Sequence, residues 1–205
     1  MKKSKRIGLL GGSFNPAHAG HVYISKQAIK LLGLDEVWWL VSPQNPLKSK
    51  KDMAPFAARL RHAKKTAADK KIRIKDLEKK WGTRYTFDTV TALKKRYPNH
   101  LFVWLTGADN WAELPRWHRW RDLLKLIPFA VFPRGSFRKS KLKNPSKTRP
   151  IAKNRAKNLA LFEPPAWAYY DILLHKASST ALRHAQKQHW WKRQRAKAQN
   201  KAGKY

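Results

Sequence analysis

The stretch Gly11-Gly12-Ser13-Phe14-Asn15-Pro16-Ala17-His18-Ala19-Gly20-His21 decides which fold the chain is expected to adopt. A short apolar run, residues 7–10, precedes it, and apolar residues at helical spacing follow it from Val22 to Leu32. The pattern predicts a strand, a glycine turn and a helix. Paired glycines let the backbone pass close to a ligand, and the first amides of the following helix point towards the turn. We therefore expect an anion such as a phosphate chain to bind here.

Two histidines strengthen this interpretation. His18 and His21 are three residues apart at the predicted start of the helix, so their rings are expected to lie close together. Each ring can donate a hydrogen bond to a phosphate oxygen. A glycine pair alone more often makes a tight turn, and a lone histidine more often caps a helix. Their coincidence at one strand-to-helix junction favours a ligand site.

The composition limits the class of protein. The chain has 205 residues and no cysteine, which suits a single α/β domain, excludes disulfides and thiolate metal sites, and fits a reducing compartment. The apolar run that follows the basic residues 2–6 ends at Leu10, too early for a secretory signal. No later run approaches the roughly 18 apolar residues of a membrane span. We expect a soluble, cytoplasmic protein without membrane contact.

The chain is strongly basic, with 46 Lys and Arg against 12 Asp and Glu and a formal charge of +34. Such a surface attracts polyanions, including nucleic acids, non-specifically. Residues 134–157 contain ten Lys and Arg and no acid, which predicts an exposed, mobile insert. Residues 184–205 contain seven and no acid, and they form a basic extension of a domain over residues 1–183. A solvated cationic surface explains this charge at least as well as a specific nucleic-acid role.

Further strands and helices alternate along the chain. The fold class this predicts is α/β, a Rossmann-like parallel sheet with helices on both faces. In the helix around residues 55–68 the expected inner face is Phe56, Ala57, Leu60, Ala63 and Ala67, with Arg59 and Arg61 in solvent. The expected later strands are residues 37–41, 72–74, 101–106, 126–132 and, as a short final strand, 159–162.

Ligands of such sheets bind at the carboxyl ends of the strands, where several polar residues are expected. Lys48 follows the second strand, and Gly107 and Asp109 follow the strand at residues 101–106. A carboxylate that only accepts hydrogen bonds suits a ribose diol, although Asp109 could equally cap a helix from Asn110. Lys48 by itself could be a surface lysine.

Three more segments have two explanations each. Thr86 begins a predicted helix and is either a ligand contact or an N-cap. Trp117 lies among basic residues, as in a nucleic-acid stacking platform or a packed helix start. The hydroxyl run Ser178, Ser179 and Thr180, with Arg183 one helical turn later, is either a second anion site or an ordinary cap.

The sequence of residues 11–21 resembles the motif of the bacterial nicotinate mononucleotide adenylyltransferases. These belong to the nucleotidylyltransferase superfamily, whose HxGH element is here His18-Ala19-Gly20-His21. The resemblance covers roughly residues 6–183 and includes the Ser-Ser-Thr-x-x-Arg element at residues 178–183. Asn15 stands where the family has Asp and Ala177 where it has Ile, and residues 184–205 are less family-like.

The resemblance implies a fold of the HxGH nucleotidylyltransferase type and a role for each matching residue. Trp117 would stack on the pyridine ring, backbone amides near Thr86 would recognise the nicotinate carboxylate, and His21 would lie near the α-phosphate. The implied catalytic residues are His18, His21, Lys48 and Arg183. The implied ATP-binding residues are Gly11, Gly12, Ser13, Phe14, Gly107, Asp109, Ser178, Ser179 and Thr180. The implied mononucleotide-binding residues are Thr86, Trp117, His118 and Arg134.

The implied reaction is transfer of AMP from ATP to nicotinate mononucleotide, which gives deamido-NAD and pyrophosphate. It needs no nucleophilic side chain. No carboxylate cluster suits a protein metal site, so Mg²⁺ is expected to bind mainly through the ATP phosphates. Other acceptors stay open, namely nicotinamide mononucleotide, phosphopantetheine or a glycerol phosphate. From another class, a basic RNA-binding protein using Trp117 and Trp120 is the alternative.

Overall fold

The sheet at the centre of the molecule has six strands, all parallel, in the order β3-β2-β1-β4-β5-β6. The computed structural model describes residues 4–44, 53–134, 144–145 and 149–173. The strands are β1 Arg6–Gly12, β2 Glu36–Val41, β3 Ile72–Lys75, β4 Leu101–Gly107, β5 Phe129–Phe132 and β6 Trp167–Tyr169. The helices are α1 Ala19–Leu32, α2 Phe56–Thr66, α3 Leu77–Trp81, α4 Thr86–Arg96, α5 Ala108–Ala112 and α6 Trp120–Leu126, with 3₁₀ helices at Leu114–Arg116 and Ala156–Leu161.

Both faces of the sheet are buried, because every residue of β2 is buried and successive side chains enter opposite cores. Trp39 joins the core that includes α1, α2 and the 3₁₀ helix Ala156–Leu161. Trp38 and Leu40 join the core that includes α3, α4, α5 and α6. The predicted Rossmann-like sheet with helices on both faces is confirmed.

The strand order indicates which edge of the sheet binds ligands. β1 pairs with β2 on one side and with β4 on the other, so the chain winds outwards in both directions from the β1/β4 pair. Ligands of doubly wound sheets bind at the carboxyl ends beside such a switch point. The turn after β1 and the helix start after β4 therefore lie next to each other.

The prediction of a final strand at residues 159–162 is wrong. Residues 159–161 belong to the 3₁₀ helix Ala156–Leu161, whose C-cap is Phe162 and whose residues Ala156, Leu159 and Ala160 are buried. A short apolar run does not by itself distinguish a strand from a buried helix. The sixth strand is Trp167–Tyr169, which pairs with β5.

Three other segments differ from the sequence-based expectation. Residues 77–81 form α3, whereas the sequence pattern predicts a loop over residues 79–84, and β5 begins at Phe129 because Leu126 still belongs to α6. Most described residues of the basic insert are exposed as predicted, but its end is anchored, since Ile151 donates its backbone N–H to the Trp167 carbonyl and Ala156 is buried. Among the residues that the structure describes, no helix is long and apolar enough to cross a membrane.

Candidate active site

The turn at residues 13–18, here called the phosphate turn, connects β1 to α1. It contains a cis Asn15–Pro16 peptide bond, and Phe14 has a positive φ of 46°. Gly11 belongs to the end of β1 just before the turn, where an added Cβ would lie 2.7 Å from the ring of Trp104. That distance is far inside a normal contact, so only glycine lets Trp104 pack against this strand. Gly11 therefore serves close packing at the strand end.

His18 and His21 cap α1 reciprocally. The Nδ1 atom of His18 accepts a hydrogen bond from the Gly20 amide at 3.1 Å, and Nδ1 of His21 accepts one from the His18 amide at 3.1 Å. Their ring centroids are 3.8 Å apart. This is a capping box in which imidazoles replace the usual hydroxyl and carboxyl groups. The structure thus brings the two predicted histidines together at a helix start.

Buried neighbours hold His21 in position. Its ring packs 4.8 Å from that of Phe14, which stacks on Trp39 with 4.9 Å between centroids. Ser25 is fully buried; its hydroxyl donates to the His21 carbonyl at 2.8 Å and accepts from the Trp39 indole N–H at 2.8 Å. The first turn of α1 is therefore tied to β2 through one serine.

The protonation of His21 follows from this environment. Burial, together with the charges of His18 and Arg134, holds the pKa of His21 well below its usual value near 6.5. Because Nδ1 of each histidine accepts a backbone hydrogen bond, the neutral ring carries its proton on Nε2. Each ring is then a donor at Nε2, which is the form that can bind a phosphate oxygen without a prior protonation step.

Nuclear magnetic resonance can test this protonation state. We expect long-range ¹H–¹⁵N spectra of the free protein at pH 7 to show His21 as a neutral ring protonated on Nε2. A pH titration should then give a pKa for His21 below 6.5. A doubly protonated His21 at pH 7, or an Nδ1-protonated ring, would contradict the capping geometry. His62→Ala and His21→Ala spectra assign the signals.

Gly107 and Asp109 follow β4 beside the phosphate turn. Asp109 forms an ion pair with Arg134 at 3.5 Å, and its Oδ1 atom is buried with no hydrogen-bond partner among the described residues. An added Cβ at Gly107 would lie 2.4 Å from this Oδ1 and 2.9 Å from Cδ of Arg134. A buried carboxylate oxygen that lacks a donor is costly, so a ligand hydroxyl is a natural partner.

The alternative that Asp109 caps a helix from Asn110 is wrong, because α5 begins at Ala108 and its N-cap is Gly107. Asp109 instead lies in the first turn of α5 and its side chain makes no capping bond. Arg134 lies two residues after Phe132, the last residue of β5, and its charge influences both Asp109 and His21. Residues after β1, β4 and β5 therefore converge at one edge.

The predicted mononucleotide residues lie at the start of α4 and before α6. The N-cap of α4 is Tyr85, so Thr86 is the first helical residue and the N-cap explanation for it is wrong. The rings of Tyr85 and His118 stack at 4.3 Å, and half-buried Trp117 meets Trp104 edge-on at 6.2 Å. Thr86, Trp117 and exposed His118 are thus near one another. Their substrate roles stay predictions.

Five predicted site residues lie outside the described part of the chain. They are Lys48, Ser178, Ser179, Thr180 and Arg183.

Arg59 was expected in solvent, yet it is 1% exposed. Its guanidinium donates to backbone carbonyls at the phosphate turn and after β2. The face of α2 is also rotated from the prediction, because Ala58 and Arg59 are buried with Ala63 while Ala57 is exposed. Arg59 and Ala63 are four residues apart and share one helix face, a spacing that could have indicated burial.

Glu78 of α3 is the acidic group near this arginine, and only 7% of it is exposed. Burial raises its pKa to about 7, against the opposing effects of a hydrogen bond from Ser42 and the charge of Arg59. Desolvation in turn lowers the pKa of Arg59 to about 10. The carboxyl of Glu78 therefore binds its proton more tightly in the folded chain than in the unfolded chain.

This raised pKa has a consequence for stability. The stabilisation that comes from the raised pKa of Glu78 is fully present below about pH 4.5 and is lost as the pH rises through about 7. Between pH 5 and 8 we expect the wild type to lose up to about 3 kcal/mol of unfolding free energy more than Glu78→Gln does. Urea denaturation at both pH values measures this difference. The exposed Glu113→Gln variant is the control, and parallel pH profiles for wild type and Glu78→Gln would refute the assignment.

The described residues contain no group of three or more His, Asp or Glu side chains placed to hold a metal ion. Asp109 is paired with Arg134, and the two histidines use Nδ1 for backbone hydrogen bonds. This donor set does not fit a cation held by the protein alone.

The combination of a doubly wound sheet and a histidine-capped phosphate turn at its switch point defines a class of protein. Residues 9–185 match the family model described as cytidylyltransferase-like, which spans most of the chain. The match begins within β1 and includes the phosphate turn, Asp109 and Trp117.

Individual relatives narrow this class. The "Probable nicotinate-nucleotide adenylyltransferase" of Parvibaculum lavamentivorans is 47% identical over 182 residues, which cover 87% of this chain and 90% of the relative. The protein of the same name from Gluconobacter oxydans is 43% identical, over 88% of this chain and 94% of the relative. The chain belongs to the nicotinate-nucleotide adenylyltransferase family.

Solved structures agree with the fold. The Plasmodium falciparum nicotinic acid mononucleotide adenylyltransferase complexed with NaAD superposes with a TM-score of 0.66 at 22% identity. The superposition covers 88% of this chain and 83% of that one. At this identity the likeness concerns the fold alone.

Proposed function

We propose that this chain transfers AMP from ATP to nicotinate mononucleotide, releasing pyrophosphate and forming deamido-NAD. The observation that carries the proposal is the convergence at one sheet edge of paired imidazole donors and a carboxylate oxygen without a donor. The imidazole donors suit a phosphate chain, and the carboxylate oxygen suits a ribose hydroxyl. Family membership supports the same substrate pair.

The reaction needs no nucleophilic side chain. A phosphate oxygen of the mononucleotide attacks the α-phosphorus of ATP, and the bond from that phosphorus to the bridging oxygen breaks. The electron pair leaves with pyrophosphate. The protein's contribution is to align the two anions in line and to stabilise charge on the leaving oxygens.

The described residues suggest how this is done. The Nε2–H of His21 would donate to an α-phosphate oxygen, and His18 would hold the β- and γ-phosphates. Asp109 would accept from the ribose of the adenylate. Lys48 and Arg183 are proposed as phosphate ligands only because they match the family motif.

The acceptor would bind between α4 and the segment before α6. Amides at the first turn of α4, beginning at Thr86, suit a carboxylate, because helix N-termini leave N–H groups without intrahelical partners. Trp117 would stack on the pyridine ring, with His118 and Arg134 beside the mononucleotide. The ring stack of Tyr85 on His118 supports this placement, since it holds the two segments together.

We also propose Mg²⁺ as a cofactor that would be bound mainly through the ATP phosphates and would supply positive charge near the leaving group. The lack of cysteine suits a reducing compartment, and we propose the cytoplasm as the place of reaction.

Pyrophosphate release from ATP tests the proposal when it is measured with a panel of acceptors. Nicotinate mononucleotide should give the highest kcat/KM, above nicotinamide mononucleotide, phosphopantetheine and glycerol phosphate. Activity with another acceptor only would contradict the substrate. The strong positive charge favours nucleic-acid binding as a second candidate function. RNA binding that survives near-physiological salt, without pyrophosphate release, would favour that alternative.

A further inference from the structure

Arg59 makes an unusual set of contacts for a buried cation. Its Nε donates to the Ala54 carbonyl at 3.0 Å, and one terminal nitrogen donates to the carbonyls of Ser13 and Ser42, the latter at 2.8 Å. The other terminal nitrogen donates to the Pro43 carbonyl at 2.8 Å. Four backbone carbonyls from three segments therefore share one guanidinium.

These three segments surround the phosphate turn. Ser13 lies within it, Ser42 and Pro43 directly follow β2, and Ala54 precedes α2. Two more hydrogen bonds connect them, because the Ala54 amide donates to the Asn15 side chain at 3.1 Å and the Ser42 amide donates to the Gly12 carbonyl at 2.9 Å. The start of the turn is thus held to the loop after β2 and to the segment before α2.

The direction of the Ser13 carbonyl matters for ligand binding. In a trans peptide the C=O and the following N–H lie in one plane and point in opposite directions. Because the Ser13 carbonyl points at Arg59, the Phe14 amide points away from it. The guanidinium consequently sets which way the backbone of the turn presents its donors.

Only arginine can make this set of contacts. The planar guanidinium group carries five N–H donors. A lysine ammonium has three donors on a single nitrogen and therefore reaches fewer carbonyls in one plane. The nearby carboxyl of Glu78 adds an acidic partner that influences the pKa of Arg59. The positive charge also lies against the phosphate turn, where its field favours an anion.

We propose that Arg59 is a positioning residue for the phosphates of ATP, acting through the backbone of the phosphate turn and of residues 42–43, which follow β2. The assignment rests on the proposed function only in taking ATP as the ligand. Arg59 touches no substrate in this mechanism. Its loss misorients the amides of the turn, and misplacement by about 1 Å can cost on the order of 100-fold in rate.

The test compares Arg59→Lys and Arg59→Met with Arg61→Met, an exposed arginine on the same helix. Calorimetry with a non-hydrolysable ATP analogue gives Kd without any acceptor present, and steady-state assays give KM for each substrate. We expect Kd and KM for ATP to rise roughly 10- to 100-fold in Arg59→Met and less in Arg59→Lys. KM for the mononucleotide should be unchanged, and Arg61→Met should match the wild type.

Other results overturn the proposal. A purely structural role would reduce the active fraction, and with it the apparent kcat, while Kd and KM for ATP stay at wild-type values. If Arg59→Met does not fold, Arg59→Lys decides, and wild-type ATP affinity in that variant refutes positioning. If the wild type binds the analogue yet uses no pyridine mononucleotide, the proposed function fails while the Arg59 test still stands.

Discussion

His21→Ala is expected to lower kcat by at least about 100- to 1,000-fold while the protein stays folded. The variant removes the Nε2 donor expected at the α-phosphate, where charge develops as the bridging bond breaks. It also removes one capping hydrogen bond, the one that the His18 amide makes with Nδ1. The cost of losing that bond is about 1 kcal/mol, so the fold should survive.

Pyrophosphate release measures the effect, and thermal unfolding checks the fold. His62→Ala is a matched control, because His62 is a partly buried histidine on α2 that bonds to Thr66. Near-normal turnover in His21→Ala would refute the proposed role of the imidazole. A similar loss in His62→Ala would show that any histidine removal disturbs the enzyme.

Asp109→Ala is expected to raise KM for ATP by roughly 10- to 100-fold, the range for losing a hydrogen bond to a charged group. The acceptor's KM should change little, because Asp109 follows β4 on the ATP side of the proposed site. Asp109→Asn keeps one oxygen acceptor but loses the charge, so an intermediate effect is expected.

Deoxy analogues of ATP make this test specific. If Asp109 binds a ribose hydroxyl, wild type should discriminate against 2′-deoxy-ATP or 3′-deoxy-ATP, and Asp109→Ala should discriminate much less. Full discrimination in the variant would show that the carboxylate acts on something else, such as the position of Arg134. The double comparison separates a lost contact from a general disturbance of the site.

The parts of the fold that the sequence predicted are those encoded locally. The glycine turn and the pair His18 and His21 form one short motif, and the apolar runs of β2 and β4 are long enough to identify buried strands. The segment 159–162 was misassigned because a run of four apolar residues is too short to distinguish a strand from a buried helix. Local pattern alone does not supply the tertiary contact that decides between them.

The burial of Arg59 was missed for a different reason. Its partners are backbone carbonyls, which every residue has, so no complementary side chain marks them in the sequence. The positive charge suggested solvent, as it does for most arginines. In contrast, Asp109 could be placed at the sheet edge from its position after β4, although its unpartnered oxygen is a property of the folded structure.

The imidazole cap of α1 has a thermodynamic consequence. No acidic residue lies in the first turn of this helix, so the helix itself supplies no carboxylate to offset its positive dipole end. A carboxylate there would stabilise the empty protein but would repel a triphosphate. Without ligand, the helix lacks this stabilisation. A bound nucleotide would supply the negative charge, so the stability that the free protein lacks would appear as binding affinity.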